Sequence, residues 1–255
     1  MVVDIKIIGV QGHKMYVFPG GDMCPLLKEE GVYHPCMTEV VQDIVKEGMT
    51  CVDVGAHIGY FTLIMARLAG ESGMIYAFEP EPNNFQLLVK NIEMNGYKNI
   101  FPVYKAISNT NGRAVLHIDK LGMGSHSLAK IPGGDLLEVE VQTLDSFFAD
   151  FNEIDFVKVD VEGAEMAVLQ GMGGIIERNN LTIITEFLPH GLLGLGTQPK
   201  DFLELLQGYG FAIYDIGEGE RPGCPVSHGR PANINAIIQA YPYGTFTNLL
   251  LKRDS

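Results

Sequence analysis

A chain of 255 residues with 46% apolar side chains is long enough for one large α/β domain with an accessory segment and a substantial core. Its formal charge of −13, with 18 Lys and Arg that form no long run, argues against an extended nucleic-acid surface, because phosphate contacts need clustered cations. No stretch approaches the roughly 20 apolar residues of a membrane helix, the N-terminus lacks a basic region followed by an apolar core, and the four cysteines form no C-x-x-C pair; the expectation is no zinc site, no disulfide framework and a reduced, cytoplasmic setting.

Residues 1 to 37 read as a β-rich extension or cap, with strand-like Ile5–Val10 and Lys14–Phe18 around Gln11-Gly12-His13 and then a Gly/Pro-rich connection. The main domain runs from 38 to 255 and opens with Thr38, placed to N-cap a helix through Val40, Val41, Ile44 and Val45. Cys51–Val54 is a short buried-strand pattern, Gly55 and Gly59 are spaced G-x-x-x-G, and Ile58, Thr62, Leu63, Met65, Ala66 and Leu68 recur at helical spacing. Met74–Phe78 is a second strand ending at Glu79, and a helix at 83–95 and a strand at 100–107 continue the alternation, which predicts a parallel sheet covered by helices on both faces. Arg113–Ile118 and Leu137–Val141 read as inserted strands around the loop from Gly122 to Ser127, a candidate substrate mouth. Phe156–Asp160 and Leu181–Phe187 are further core strands, helices are expected at 164–178 and 199–208, and Phe211–Ile216 with Asn233–Ala240 reads as a closing β-hairpin.

A strand that turns into a helix through glycines lets a ligand approach the backbone, and Glu79 stands where a βαβ nucleotide fold puts the acid that grips ribose hydroxyls. No Lys or Arg occurs from Cys51 to Met65, and Asp53 precedes the turn, so the pocket suits the cationic, phosphate-free S-adenosylmethionine better than a dinucleotide. The second informative segment is Phe156–Glu165. Lys158 and Asp160 share one strand face, so a buried ammonium there needs a partner, and Asp160 falls at the strand's carboxyl end, where open α/β sheets hold ligands. Glu186 and His190 follow the next strand and are candidate bases for a substrate hydroxyl, as is His126 in the glycine-rich insertion.

Val52-Asp53-Val54-Gly55-Ala56-His57-Ile58-Gly59-Tyr60-Phe61-Thr62, Phe78-Glu79-Pro80-Glu81-Pro82 with Asn91, Thr143-Leu144-Asp145 and the segment from Phe156 to Glu165 together resemble the FkbM family of S-adenosylmethionine-dependent methyltransferases. The resemblance covers about residues 37 to 190. It implies a class I methyltransferase (Rossmann-like) fold with a seven-stranded, mostly parallel sheet, S-adenosyl-L-methionine as cofactor, and O-methylation of a sugar or other small hydroxyl-bearing acceptor. By position it assigns Asp53, Gly55, Ala56, His57, Ile58, Gly59 and Thr62 to the methionine and ribose part of the cofactor, Glu79 and Pro80 to the ribose, Ala106 and Ile107 to adenine, and Glu39 to the amino group. Asp160 would serve in both cofactor binding and chemistry, with Lys158 orienting it. No metal is implied. His57 stands where the family more often has Asn. The alternatives are an NAD-linked oxidoreductase, disfavoured by the missing G-x-G-x-x-G, and a non-catalytic S-adenosylmethionine-binding protein. Acceptor specificity is expected in the N-terminal segment, residues 120–137 and the loops after 187 and 216, including His228-Gly229-Arg230-Pro231.

Overall fold

The computed structural model describes residues 5–20, 23–118, 126–128, 134–151, 153–217 and 231–253. A hairpin of β1 (Lys6–Val10) and β2 (His13–Val17) turns through Gln11 and Gly12, both at positive φ, and is followed by α1 (Met23–Glu29) and α2 (Pro35–Ile44). Then come β3 (Thr50–Val54), α3 (Tyr60–Ala69), β4 (Met74–Phe78), α4 (Pro82–Asn95), β5 (Ile100–Val103), β6 (Ala106–Ile107), β7 (Gly112–Ile118) and β8 (Asp135–Gln142). The remainder is α5 (Leu144–Phe147), β9 (Phe156–Val159), α6 (Glu165–Gln170), α7 (Gly173–Arg178), β10 (Thr182–Phe187), α8 (Pro189–Gly194), α9 (Pro199–Gly208), β11 (Ala212–Asp215), α10 (Ile234–Ala240) and β12 (Thr247–Lys252).

The main sheet has seven strands in the order β11-β12-β10-β9-β3-β4-β5, and β12 runs antiparallel to both its neighbours. The chain winds from β3 outward through β4 to β5 and then crosses to β9, so the two halves part beside β3, the switch point where open α/β sheets bind ligands. Strand alternation divides the core. Cys51, Ile75, Phe156, Ile184 and Leu250 join the apolar cluster with α2, α3, α4 and the hairpin, whereas Val52, Phe78, Val157, Ile183 and Leu249 join the cluster with α6, α7 and α9 on the opposite face. A separate sheet, β6-β8-β7, forms the insertion.

Four expectations change. The segment 234–240 is a helix whose Asn233 side chain caps Asn235 N–H, with Ile234, Ile237 and Ile238 at helical spacing; the antiparallel partner is instead β12, the apolar run after Phe246. Helix α2 begins at Pro35, so Thr38 lies inside it, buried, and its hydroxyl donates to Tyr33 O at 2.7 Å. The helix expected over 164–178 is two, broken at Gly171, where a Cβ would lie 2.1 Å from Ser108 O. Finally, Cys36 is disulfide-bonded, against the expectation of no disulfide, while Cys24 and Cys51 are free thiols. The N-terminal extension is also more than β structure. It adds α1, and Val10, Met15, Val17 and Phe18 are buried in the same cluster as Val40, Leu63 and Leu88. Among the described residues no helix is long and apolar enough to cross a membrane.

Candidate active site

A cavity of about 460 Å³ opens over the carboxyl ends of β3, β4, β9 and β10. Gly55, Ala56, His57 and Ile58 line it, together with Glu79, Pro80, Ala106, Ile107, Asp160, Glu186 and His190, so most of the residues expected at a site converge. Backbone geometry explains the glycine turn. Gly55 has φ +80°, and a Cβ there would lie 1.8 Å from Asp160 O, so the tips of β3 and β9 touch main chain to main chain. The turn is held by β4: the N–H groups of Gly55 and Ala56 donate to Phe78 O at 3.0 and 2.9 Å. His57 has φ +52°, in the left-handed region that Asn and His tolerate better than bulky residues do.

Glu79 ends β4 on the cavity wall. Its Oε2 accepts His57 N–H and its Oε1 accepts Glu81 N–H, both at 2.8 Å. Burial pushes its pKa up to about 7, opposed by these two backbone donors and assisted by the nearby Glu81 and Asp53 charges. Beside it Asn84, in the first turn of α4, lines the cavity with a buried Oδ1 that lacks a hydrogen-bond partner. Sequence reasoning missed Asn84; the signal was its place three residues after the capping Glu81, whose carboxylate accepts Asn84 N–H at 2.7 Å.

Lys158 resolves its own burial. Its Nζ lies 3.4 Å from Asp53 Oδ1 and 3.3 Å from Asp160 Oδ2, donates to Gly55 O at 3.2 Å, and stands 5.4 Å from the centre of the Phe61 ring. Burial alone would lower its pKa, but the Asp160 and Asp53 carboxylates outweigh that and raise it above the ordinary lysine value. Asp53 faces Lys158 across the β3–β9 ladder and accepts the Thr62 hydroxyl at 2.6 Å. Asp53 and Thr62 are fully buried and, with Gly59, are not among the cavity-lining residues. Asp53 stands behind the wall and holds Lys158, Thr62 holds Asp53, and Gly59, φ +95°, packs against Leu88 as the N-cap of α3. Helix α2 buries Cys36, Met37, Val40 and Val41, which turns the exposed Glu39 outward, away from the cavity.

Glu186 lies on β10 with Oε2 buried and without a hydrogen-bond partner. Burial, reinforced by the Asp160, Glu162 and Glu165 charges and opposed by Lys158, raises its pKa well above the carboxylate range. This shift favours the protonated carboxyl, which can donate a hydrogen bond as well as accept one. His190 is exposed at the rim, its ring 5.7 Å from Tyr243, and the half-buried His126 also lines the cavity. The loops after β9 and β10 are pressed together: a Cβ on Gly163 would meet Gly191 C at 2.5 Å. The N-terminal segment supplies the facing wall with Val17, Phe18, Met23, Leu26, Tyr33 and His34. Residues 119–125, 129–133 and 218–230, including His228, Gly229 and Arg230, lie outside the described residues.

The residues present fit S-adenosylmethionine: an acid with free lone pairs and an orphaned amide oxygen at the end of β4, a glycine turn without Lys or Arg, and small apolar Ala106 and Ile107 beyond. The methyltransferase FkbM domain matches residues 53–213. Among curated proteins, the chain is 35% identical to a protein-L-isoaspartate O-methyltransferase of Methanococcoides burtonii over 82 residues, 31% of this chain and 40% of that one. It is 27% identical to the hexuronic acid methyltransferase AglP of Haloferax volcanii over 163 residues, 60% of this chain and 59% of that one. The chain thus spans well under two thirds of the length of either relative. In fold it resembles an S-adenosylmethionine-dependent O-methyltransferase structure from Thermotoga maritima, with a TM-score of 0.51, 16% identity, and coverage of 98% of this chain and 78% of that one. The domain match sets aside the NAD-linked alternative. With its signature motifs gathered at one switch point and more than half its length matched, this chain belongs to the FkbM family of S-adenosylmethionine-dependent methyltransferases.

Proposed function

We propose that the protein methylates a hydroxyl group of a sugar or another small hydroxyl-bearing metabolite. The observation that carries this reading is the Asp160 carboxylate, part-exposed on the cavity wall and held from behind by Lys158 at 3.3 Å. When bound, S-adenosylmethionine supplies a sulfonium methyl to the acceptor oxygen and departs as S-adenosylhomocysteine. Asp160 accepts the proton of the acceptor hydroxyl at its carboxylate, and Lys158 fixes the direction in which that carboxylate points. Glu79 and Asn84 hold the cofactor ribose, and the Gly55–Ile58 backbone runs along the methionine side. The enclosed walls contribute by orientation, which is worth effective molarities of about 10⁵ M or more when reactants are aligned.

The lining favours a hydroxyl-bearing acceptor. Asp160 and Glu162 border the cavity beside Glu79 and Glu186, whose pKa values burial raises, so the wall offers both acceptors and donors to hydroxyl groups. Similarity to a hexuronic acid methyltransferase adds weak support for a sugar-like acceptor. The test is transfer of labelled methyl to a panel of neutral glycosides, uronates and amines by the wild type and Asp160→Asn. Loss of a positioned general base typically costs about 10²–10⁴ in rate, so the variant should lose at least about 100-fold in kcat with cofactor affinity nearly unchanged. Full turnover by Asp160→Asn would remove Asp160 from the chemistry. Labelling confined to carboxylates or amines would replace the hydroxyl reading, and cofactor binding without transfer to any acceptor would make the protein a binding protein.

A further inference from the structure

Side-chain alternation puts Asp53, Lys158, Asp160, Glu186 and Asn248 on the same sheet face as the cluster members Cys51, Phe156, Ile184 and Leu250. Two of these groups are unspent. Glu186 Oε2 is buried without a hydrogen-bond partner on the cavity wall, and the amide Nδ2 of Asn248 is buried without one directly opposite in the β10–β12 register. Register partners in an antiparallel ladder point to the same face with Cβ atoms about 4.5–5.5 Å apart. The protein therefore keeps two unpaired polar groups side by side at the end of the sheet. Buried polar groups are nearly always paired, and exceptions in a cavity wall mark the place where a ligand completes them.

The chemistry of the pair narrows the ligand. Burial, with Asp160, Glu162 and Glu165 and against the pull of Lys158, raises the Glu186 pKa and so favours the carboxyl form, which offers one donor and an acceptor oxygen. Asn248, beside Glu186 and not among the cavity-lining residues, adds N–H donors next to that carboxyl. A hydroxyl, which both donates and accepts, matches the Glu186 carboxyl; an apolar group would leave Oε2 unpaired. Asp160 ends the neighbouring strand β9, and adjacent strands lie about 4.8 Å apart. Two carboxyl groups at that spacing, each one hydrogen bond from its own ligand atom, converge on hydroxyls of adjacent carbons.

We infer that Glu186 is a specificity-determining residue that grips a second hydroxyl of the acceptor, so that the substrate class is a vicinal diol methylated at the hydroxyl held by Asp160. The inference rests on the hydroxyl methylation proposed above and deepens it.

The experiment uses matched probes, trans-1,2-cyclohexanediol against cyclohexanol and catechol against phenol, with labelled methyl transfer as the readout. Wild type should use each diol with kcat/KM at least about 10-fold above its mono-hydroxyl partner, the worth of one well-made polar contact. Glu186→Leu should erase the preference by raising KM for the diols with kcat little changed, and Glu186→Gln, which keeps a donor and an acceptor, should restore it. S-adenosylhomocysteine affinity measured on each variant reports an intact fold and cofactor site. If Glu186→Leu loses that affinity, Asn248→Ala takes its place and should weaken the diol preference alone. Equal use of diols and mono-alcohols by wild type overturns the inference, as does Glu186→Gln failing like Glu186→Leu, or a loss confined to kcat. Wild-type transfer only to carboxylates or amines sinks the hydroxyl reading itself, and is distinguishable because it appears before any variant is made.

Discussion

Glu79 shows how one residue can tie cofactor binding to pH. Its pKa is raised to about 7, chiefly by burial, so the free protein holds a proton there below neutrality. Ribose hydroxyls donate best to the ionised form, so the bound state has the lower pKa and binding releases a proton. Affinity for S-adenosylmethionine should therefore strengthen as pH rises from 6 through about 7 and level off near 8. Calorimetry in two buffers of unlike ionisation enthalpy measures the proton directly, and a pH-independent affinity with no proton release would contradict the assignment. Glu79→Gln should bind about 10- to 100-fold more weakly, the loss of a hydrogen bond to a charged acceptor, with the pH dependence gone. The place of Glu79 on the cavity wall was legible because strand end and acid coincide in the sequence. The ion pair of Asp53 was not, because only the register with Lys158 reveals the buried counter-charge behind the wall.

At the scale of elements, Asn91 on α4 joins the hairpin to the glycine turn. Its Nδ2 donates to Ile58 O at 2.8 Å and to Tyr16 O at 3.1 Å, and its Oδ1 accepts Tyr16 N–H at 2.6 Å. Asn91→Ala leaves Tyr16 N–H and Ile58 O without this partner and should cost about 2–4 kcal/mol in urea-induced unfolding. Hydrogen exchange should rise in the hairpin more than in β3 and β9, and uniform loss of protection would argue that the hairpin is not the element released. The alternating strands and helices from β3 to β10 were readable because each is a short apolar run with its own punctuation. The chain's end was misread for a physical reason: Ile234, Ile237 and Ile238 are β-branched yet helically spaced, and tertiary packing against α9 follows the spacing rather than the propensity.

Considering the molecule as a whole, a seven-stranded, mostly parallel sheet with acids at its strand ends is legible in the motifs, and acceptor specificity was expected in part from the N-terminal segment, but the strand order was not legible. The N-terminal segment carries no periodic signal for its place as the wall facing the acids; that place comes from packing with α2, α3 and α4. Global stability carries a second pH signature. Glu165 is fully buried, its Oε1 accepts Val161 and Gly163 N–H at 3.0 and 3.1 Å, its Oε2 has no partner, and burial with the Asp160 charge raises its pKa to about 7. A folded-state pKa above the unfolded value means that the folded protein binds the proton more tightly. The stabilisation is full below the unfolded carboxylate pKa of about 4.3 and is lost as pH rises through about 7. Glu165→Gln cannot titrate, so wild type should lose roughly 2 kcal/mol relative to it between pH 5 and pH 8 in chemical denaturation; parallel curves would refute this. The contact between Gly163 and Gly191 has a bearing on evolvability. With backbone against backbone, neither the turn at Gly163 nor α8 at Gly191 can acquire a side chain without displacing the other, so these two positions are closed to substitution. New acceptor ranges, natural or engineered, are more readily written in the opposite wall of Phe18, Met23 and Leu26, where no such backbone contact constrains the side chain.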